Sequence, residues 1–145
     1  MSTAFLLECL PEMRTHILVV EDDVVTREAL RTLLESEGYE VEVAVDGEKA
    51  VGALAQRRYD GVILDIALPK LSGTDVMEYI ASTTPELLAS IVVVTGLEVG
   101  DIRKLFPDIC ETLSKPILPN RLLASVRRCL KPANGSAKLP GFFVA

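Results

Sequence analysis

Four short β-branched runs punctuate the chain: Ile17-Leu18-Val19-Val20, Val41-Glu42-Val43, Val62-Ile63-Leu64 and Ile91-Val92-Val93-Val94. A weaker run follows at Thr112-Leu113. Three of these are solidly apolar, the pattern of strands in a parallel sheet covered on both faces. Between them apolar residues recur at helical spacing. Ala29, Leu30, Leu33 and Leu34 form one stripe, and Gly38 supplies a stop after it. Ala50, Val51 and Leu54 form a second, after Asp46-Gly47. Val76, Met77, Ile80 and Ala81 form a third, with Ser72 or Thr74 available as a cap. A short fourth helix is expected near Val99 to Phe106, where the pattern is poorest. Leu122, Leu123, Val126 and Leu130 mark a fifth, with Pro119 suited to its first turn. Strict alternation of strands and helices predicts an α/β domain: a doubly wound, five-stranded parallel sheet with right-handed crossovers and helices on both faces.

Composition narrows the class. The chain has 145 residues, room for one domain with a real core. That domain is expected over residues 15–131. Residues 1–14 read as an N-terminal extension. Residues 132–145, with Pro132, Asn134, Gly135, Pro140 and Gly141, read as a tail or linker. No space is expected for a DNA-binding output domain. No apolar run approaches the roughly 20 residues of a membrane span, and the start lacks the basic region of a secretory signal. A soluble, cytoplasmic protein is the expectation. The three cysteines, Cys9, Cys110 and Cys129, are odd in number and widely spaced. They suggest neither a disulfide framework nor a zinc site, but separate small hydrophobes in a reducing compartment. The net charge of −6 argues against nucleic acid as the direct partner.

The acidic excess matters where it is concentrated. The first strand ends in Glu21-Asp22-Asp23, the third in Asp65, the fourth in Thr95-Gly96 and the fifth in Ser114-Lys115-Pro116. Open parallel sheets bind ligands at the carboxyl ends of their strands. Glu21, Asp22 and Asp65 are therefore expected on one edge, close enough to hold a proton or recruit a cation. A hard divalent ion such as Mg²⁺ suits oxygen ligands of this kind. A metal, the Lys115 ammonium and the Thr95 hydroxyl around a carboxylate make a cradle for a phosphoryl group. Asp65 stands alone at its strand end and is the candidate nucleophile; Glu21 and Asp22 look like the metal pair. Asp23 is assigned to the helix that follows, where a carboxylate favours the dipole.

At these residues the chain resembles the receiver domain of two-component response regulators. The matching elements are Val19-Val20-Glu21-Asp22-Asp23 with Arg27, Leu64-Asp65-Ile66-Ala67-Leu68-Pro69 with Gly73, Val94-Thr95-Gly96, and Lys115-Pro116-Ile117. The resemblance covers about residues 15–131 and implies a flavodoxin-like (βα)5 fold. It implies that Asp65 accepts a phosphoryl group from a sensor histidine kinase, a phosphotransfer protein or a small acyl phosphate. Asp22, Asp65 and the Ala67 carbonyl then ligate Mg²⁺ or Mn²⁺, with Glu21 reaching the metal through water. Lys115 pairs with Asp65 and later with its phosphoryl group. Thr95 is the switch hydroxyl, and Gly96 the small residue beside it. Pro69 and Gly73 shape the loop after the acceptor, and a cis Pro116 is in keeping with such folds. The output would be contacts with an unidentified downstream protein or a second copy of the chain, with no nucleic acid and no membrane. Such a domain is not an enzyme in the ordinary sense.

Three departures bear on the output. Many receivers carry an aromatic residue three positions before the lysine, where this chain has Thr112, so the coupling of switch hydroxyl to ring rotation is altered. The stretch Leu105-Phe106-Pro107-Asp108-Ile109-Cys110 lacks the usual Gly-Ala turn, and an atypical fourth helix and following loop are expected. Ala67 and Leu97 occupy the positions that set aspartyl-phosphate lifetime, and neither can orient a water, so self-dephosphorylation is expected to be slow. The alternative reading is a pseudo-receiver, an interaction module that needs no phosphorylation. A hydrolase is disfavoured because Ala67 stands where its acid–base Asp belongs. A flavin-binding fold is disfavoured because an acidic cleft repels the cofactor phosphate. Arg121, Arg127 and Arg128 mark one helix as a candidate partner surface.

Overall fold

The computed structural model describes residues 14–68, 70–96 and 99–130. The expected extension and tail, Cys9, Pro69 and Leu97 lie outside them. Among the described residues there are five strands: β1 His16–Val20, β2 Glu40–Ala44, β3 Gly61–Asp65, β4 Ile91–Thr95 and β5 Glu111–Ser114. Among the same residues, α-helices alternate with them: α1 Val24–Ser36, α2 Gly47–Gln56, α3 Gly73–Thr83, α4 Val99–Leu105 and α5 Pro119–Cys129. A 3₁₀ segment, Pro85–Ser90, precedes β4 and was not foreseen. Its apolar pair, Leu87 and Leu88, is too short a stripe to register as periodicity, yet both are buried.

All strand pairs are parallel, in the order β2-β1-β3-β4-β5. The three solidly apolar runs are the three central strands. Their residues alternate between two cores. Ile17, Val19, Ile63, Val92 and Val94 face α1 and α5 through Leu30, Leu34, Leu122 and Val126. Leu18, Val20, Val62, Leu64 and Val93 face α2, α3 and α4 through Ala50, Val76, Met77, Ile80 and Ile102. Each fully buried aliphatic side chain contributes roughly 1.5–3 kcal/mol, which is why the most apolar strands take the central places. β2, on the edge, is only half covered and carries Glu42 exposed.

The helix boundaries follow from local chemistry. Asp23 caps α1 by accepting from the Thr26 N–H at 2.8 Å. Those hydrogen bonds hold its carboxyl below the ordinary aspartate value. Asp46 caps α2 through the Lys49 N–H at 2.8 Å. Ser72, rather than Thr74, caps α3 in a reciprocal box with Asp75. Gly38 follows α1 with φ +95°, a conformation other residues rarely adopt. Pro119 opens α5 and the Lys115–Pro116 bond is cis.

One expectation is overturned. Cys110 and Cys129 are not separate thiols: they form a disulfide that joins the residue before β5 to the last residue of α5. Spacing along the chain could not show this, because the 19-residue separation is closed only when α5 packs back along β5.

Candidate functional site

The strand order reverses between β1 and β3, since the chain leaves β1 for β2 on one side and returns to β3 on the other. The carboxyl ends of these two strands therefore border a crevice. Asp65 ends β3, and Glu21 and Asp22 follow β1. Glu21, Asp22 and Asp65 each offer an oxygen within 4.8 Å of the others. Glu21 and Asp65 are buried, whereas Asp22 is exposed.

Lys115, just past β5, reaches over β4 into this cluster. Its Nζ lies 3.0 Å from Asp65 Oδ2 and 3.1 Å from Glu21 Oε1. The Asp65 partner was expected; the Glu21 partner was not. Burial alone would lower the ammonium's pKa, but the hydrogen bonds to Asp65 and Glu21 outweigh it and hold the group above its ordinary value. Burial pushes the Glu21 carboxyl up, against the pull of the Asp23 N–H and Lys115. The other Asp65 oxygen, Oδ1, accepts from the Ala67 N–H at 3.1 Å. Both acceptor oxygens are thus oriented before any ligand arrives. Three carboxylates and a nearby main chain supply only hard oxygen donors, a set that fits Mg²⁺ or Mn²⁺ and not a soft metal.

Thr95 ends β4, fully buried, and its carbonyl accepts from the Lys115 N–H at 2.9 Å. A side chain at Gly96 would meet open space, so the approach to the crevice is unobstructed there. Thr112 lies on β5, beside a cleft of about 360 Å³ that also involves Lys115, Leu118 and Arg121. Of the candidate basic surface, Arg127 pairs with Glu37 and Arg128 with Glu111, which partly neutralises it.

Sequence reasoning expected Gly73 to shape the loop after Asp65 but gave Arg27, Gly47 and Lys70 no part in holding the two loops. Arg27 donates to the main-chain carbonyls of Glu21 and Asp22, each at 3.2 Å, and so pins the acidic turn. The signal was a basic residue one turn into the helix after the acids. On the other side, Lys70 has φ 64° and pairs with buried Asp46 at 3.7 Å. Gly47 packs against Leu71 so closely that a Cβ would lie 2.0 Å from the Leu71 carbonyl oxygen. The turn before α2 therefore clamps the loop that follows Asp65. Gly73 closes the same loop, donating to the Ile66 carbonyl at 2.9 Å, and a Cβ there would stand 2.7 Å from the Asp65 carbonyl oxygen. Gly47→Ala is expected to cost about 1–3 kcal/mol through this overlap and to slow any chemistry at Asp65. An unchanged denaturation midpoint would show that the loop yields freely and is not clamped.

The comparisons with known proteins point the same way as this geometry. "Response regulator MprA" of Mycobacterium sp. (strain KMS) is 35% identical over 119 residues, covering 82% of this chain and 52% of that protein. The chain thus spans about half the length of the curated relatives it matches. The response regulator TrrA of Thermotoga maritima, solved in complex with Mg²⁺-BeF, superposes with a TM-score of 0.72 at 31% identity, covering 80% of this chain and 99% of that one. The receiver domain of sensor histidine kinase PA1611 from Pseudomonas aeruginosa PAO1, solved with magnesium in its active-site cleft, gives 0.71 at 28% identity, covering 80% and 97%. A family model for the response regulator receiver domain matches residues 17–127, from β1 almost to the end of α5. With the parallel sheet, its strand order and the acidic crevice, that match makes the chain a member of the response regulator receiver domain family.

Proposed function

We propose that this receiver accepts a phosphoryl group on Asp65 in a reaction that depends on Mg²⁺ or Mn²⁺. The donor is a phosphohistidine of a sensor kinase or phosphotransfer protein, or a small acyl phosphate. The observation that carries this reading is the pair of donors on Asp65, Lys115 Nζ at 3.0 Å and the Ala67 N–H at 3.1 Å, beside two further carboxylates. The carboxylate oxygen attacks phosphorus, an O–P bond forms, and the P–N bond to the donor imidazole breaks. Lys115 stays beside the transferred group and offsets its charge. Asp22, Asp65 and the Ala67 carbonyl would ligate the cation and Glu21 would reach it through water; when bound, the ion neutralises phosphoryl oxygens and the carboxylates' mutual repulsion. Thr95 would turn to the phosphoryl group as the switch, and the Ala67 methyl cannot orient a water, which favours slow loss. The signal passes on through protein–protein contacts.

The donor protein must bring its histidine to the crevice, so it docks beside it. An apolar groove of about 850 Å³ runs between α1 and the loop after β5, lined by Val25, Ala29, Leu33, Pro116 and Ile117, with Lys115 at its edge. It suits an amphipathic helix of the donor. Val25 is 74% exposed there. Val25→Glu is expected to slow transfer from a phosphorylated partner at least tenfold and to leave uptake from acetyl phosphate unchanged. Equal slowing of both donors would remove the groove from the reading.

The direct test is intact mass after incubation with acetyl phosphate, with Mg²⁺ and with chelator. One added phosphoryl group, seen only with the cation, is expected. No modification by acetyl phosphate and no cation-dependent response to beryllofluoride would instead favour the module that works without phosphorylation.

A further inference from the structure

Cys110 and Cys129 stand apart from the phosphoacceptor crevice, and the bond between them ties the start of β5 to the end of α5, two consecutive elements that the backbone joins only at their other ends. Cys110 is anchored on both sides: its N–H donates to the Ile91 carbonyl at 3.1 Å, and its carbonyl accepts from Arg103 of α4 at 3.3 Å. Cys129 ends α5 and packs in the core beside Leu122 and Val126, 6% exposed. That small exposure is directed. A cleft of about 460 Å³ opens onto Cys129 between the turn before β3 and the 3₁₀ segment, with Arg57, Arg58, Asp60, Glu86 and Ala89 on its walls. It has room for a small molecule and not for a protein domain. Its charges are balanced, two of each sign, so entry is selected by size rather than by charge.

We propose that Cys110–Cys129 is a thiol–disulfide exchange site that takes low-molecular-weight thiols through this cleft. The incoming thiolate attacks Cys129 Sγ, the Cys110–Cys129 bond breaks, and Cys110 leaves as a thiolate that takes a proton from water. A second thiolate attacks the small-molecule sulfur of the mixed disulfide and releases Cys129. Two small thiols are oxidised to one disulfide while the protein disulfide is reduced to two thiols. The reverse reaction, with a small-molecule disulfide as oxidant, closes the bond again.

The consequence is local to one face. Opening the bond frees the start of β5 from the end of α5, and the Arg128–Glu111 ion pair still spans the same two elements. Reduction therefore loosens this edge without detaching it. Thr112 rides on the tethered strand, so the edge that responds to redox state is the one that carries Thr112. The exchange itself requires no phosphoryl chemistry and stands or falls independently of it.

The test uses the full chain carrying Cys9→Ser, equilibrated in reduced-to-oxidised glutathione buffers, acid-quenched and read by maleimide labelling and intact mass. At the oxidised end, no free thiol and an internal bridge are expected. At the reduced end, two free thiols are expected, together with a lower melting temperature and faster hydrogen exchange in α5 and β5. The change should reverse. Ala89→Phe, which fills the mouth of the cleft, should slow reduction by glutathione several-fold and leave the final thiol counts unaltered. Two free thiols, or glutathione adducts only, at the oxidised end would overturn the proposal. So would a bridge that opens only in denaturant, and an unchanged rate in Ala89→Phe would overturn the entry path.

Discussion

Asp65→Asn is expected to take up no phosphoryl group from acetyl phosphate while keeping its fold. The amide matches the carboxylate in shape and can still accept from the Ala67 N–H, which now holds Asp65 Oδ1 at 3.1 Å. It cannot attack phosphorus, because its oxygen carries no full charge and its nitrogen lone pair is delocalised. The electrostatics of the fold change little. Removing one charge ends its repulsion with Glu21 and Asp22, whose oxygens lie within 4.8 Å. It also ends the attraction to Lys115 at 3.0 Å, of similar size and opposite sign. The melting temperature should therefore be kept or raised. Phosphoryl uptake that survives in a folded Asp65→Asn chain would place the acceptor on another residue.

Lys115→Ala should slow phosphoryl uptake by about 10²–10³-fold, the usual effect of removing a preorganised charge-stabilising donor. The same ammonium touches Glu21 and Asp65, so its loss leaves two buried carboxylates with no cation between them. Glu21 already sits above the usual carboxylate range because of burial, and it should rise further. A carboxyl whose folded pKa is raised contributes stability below its unfolded pKa and loses it as pH rises through the folded one. The variant should thus be less stable than wild type at neutral pH, and the gap should narrow on acidification through the carboxylate range. Lys115→Arg keeps the charge and should keep that stability. Denaturation midpoints of the three proteins across this range check the sign. A gap that does not depend on pH would mean that Lys115 acts by packing alone.

These two residues also show how differently parts of the site were legible. Asp65 could be picked from the chain because β3 is an uninterrupted apolar run, and a carboxylate directly after such a run has to emerge at the sheet's edge. Lys115 could be placed at the same edge because it follows the fifth strand, although β5 was the weakest strand signal, and its pairing with Asp65 came only from the resemblance to receivers. Its contact with Glu21 was not legible, because it depends on how far the long side chain crosses β4. Arg27, Gly47 and Lys70 were passed over as functional residues. Arg27 acts through main-chain carbonyls close by in the chain, and Gly47 and Lys70 through contacts between segments distant in sequence; none of these leaves a periodic trace. The 3₁₀ segment was missed because six residues are too few to display a helical stripe.

The sequence by itself determined the class of fold and the chemistry of one edge. Strict alternation of short apolar runs with amphipathic stretches permits little else than a covered parallel sheet. The polar residues that end those runs can meet only at the carboxyl edge. Only the tertiary structure decided which strands are neighbours, and hence that the crevice lies between β1 and β3 with Lys115 reaching in from beyond β4. It alone decided that Gly47 clamps the loop after Asp65, since that is a matter of ångströms between two turns. It alone joined Cys110 to Cys129. Periodicity records which face of an element is buried, whereas a disulfide records which two elements are packed together, and a single chain carries no spacing rule for that.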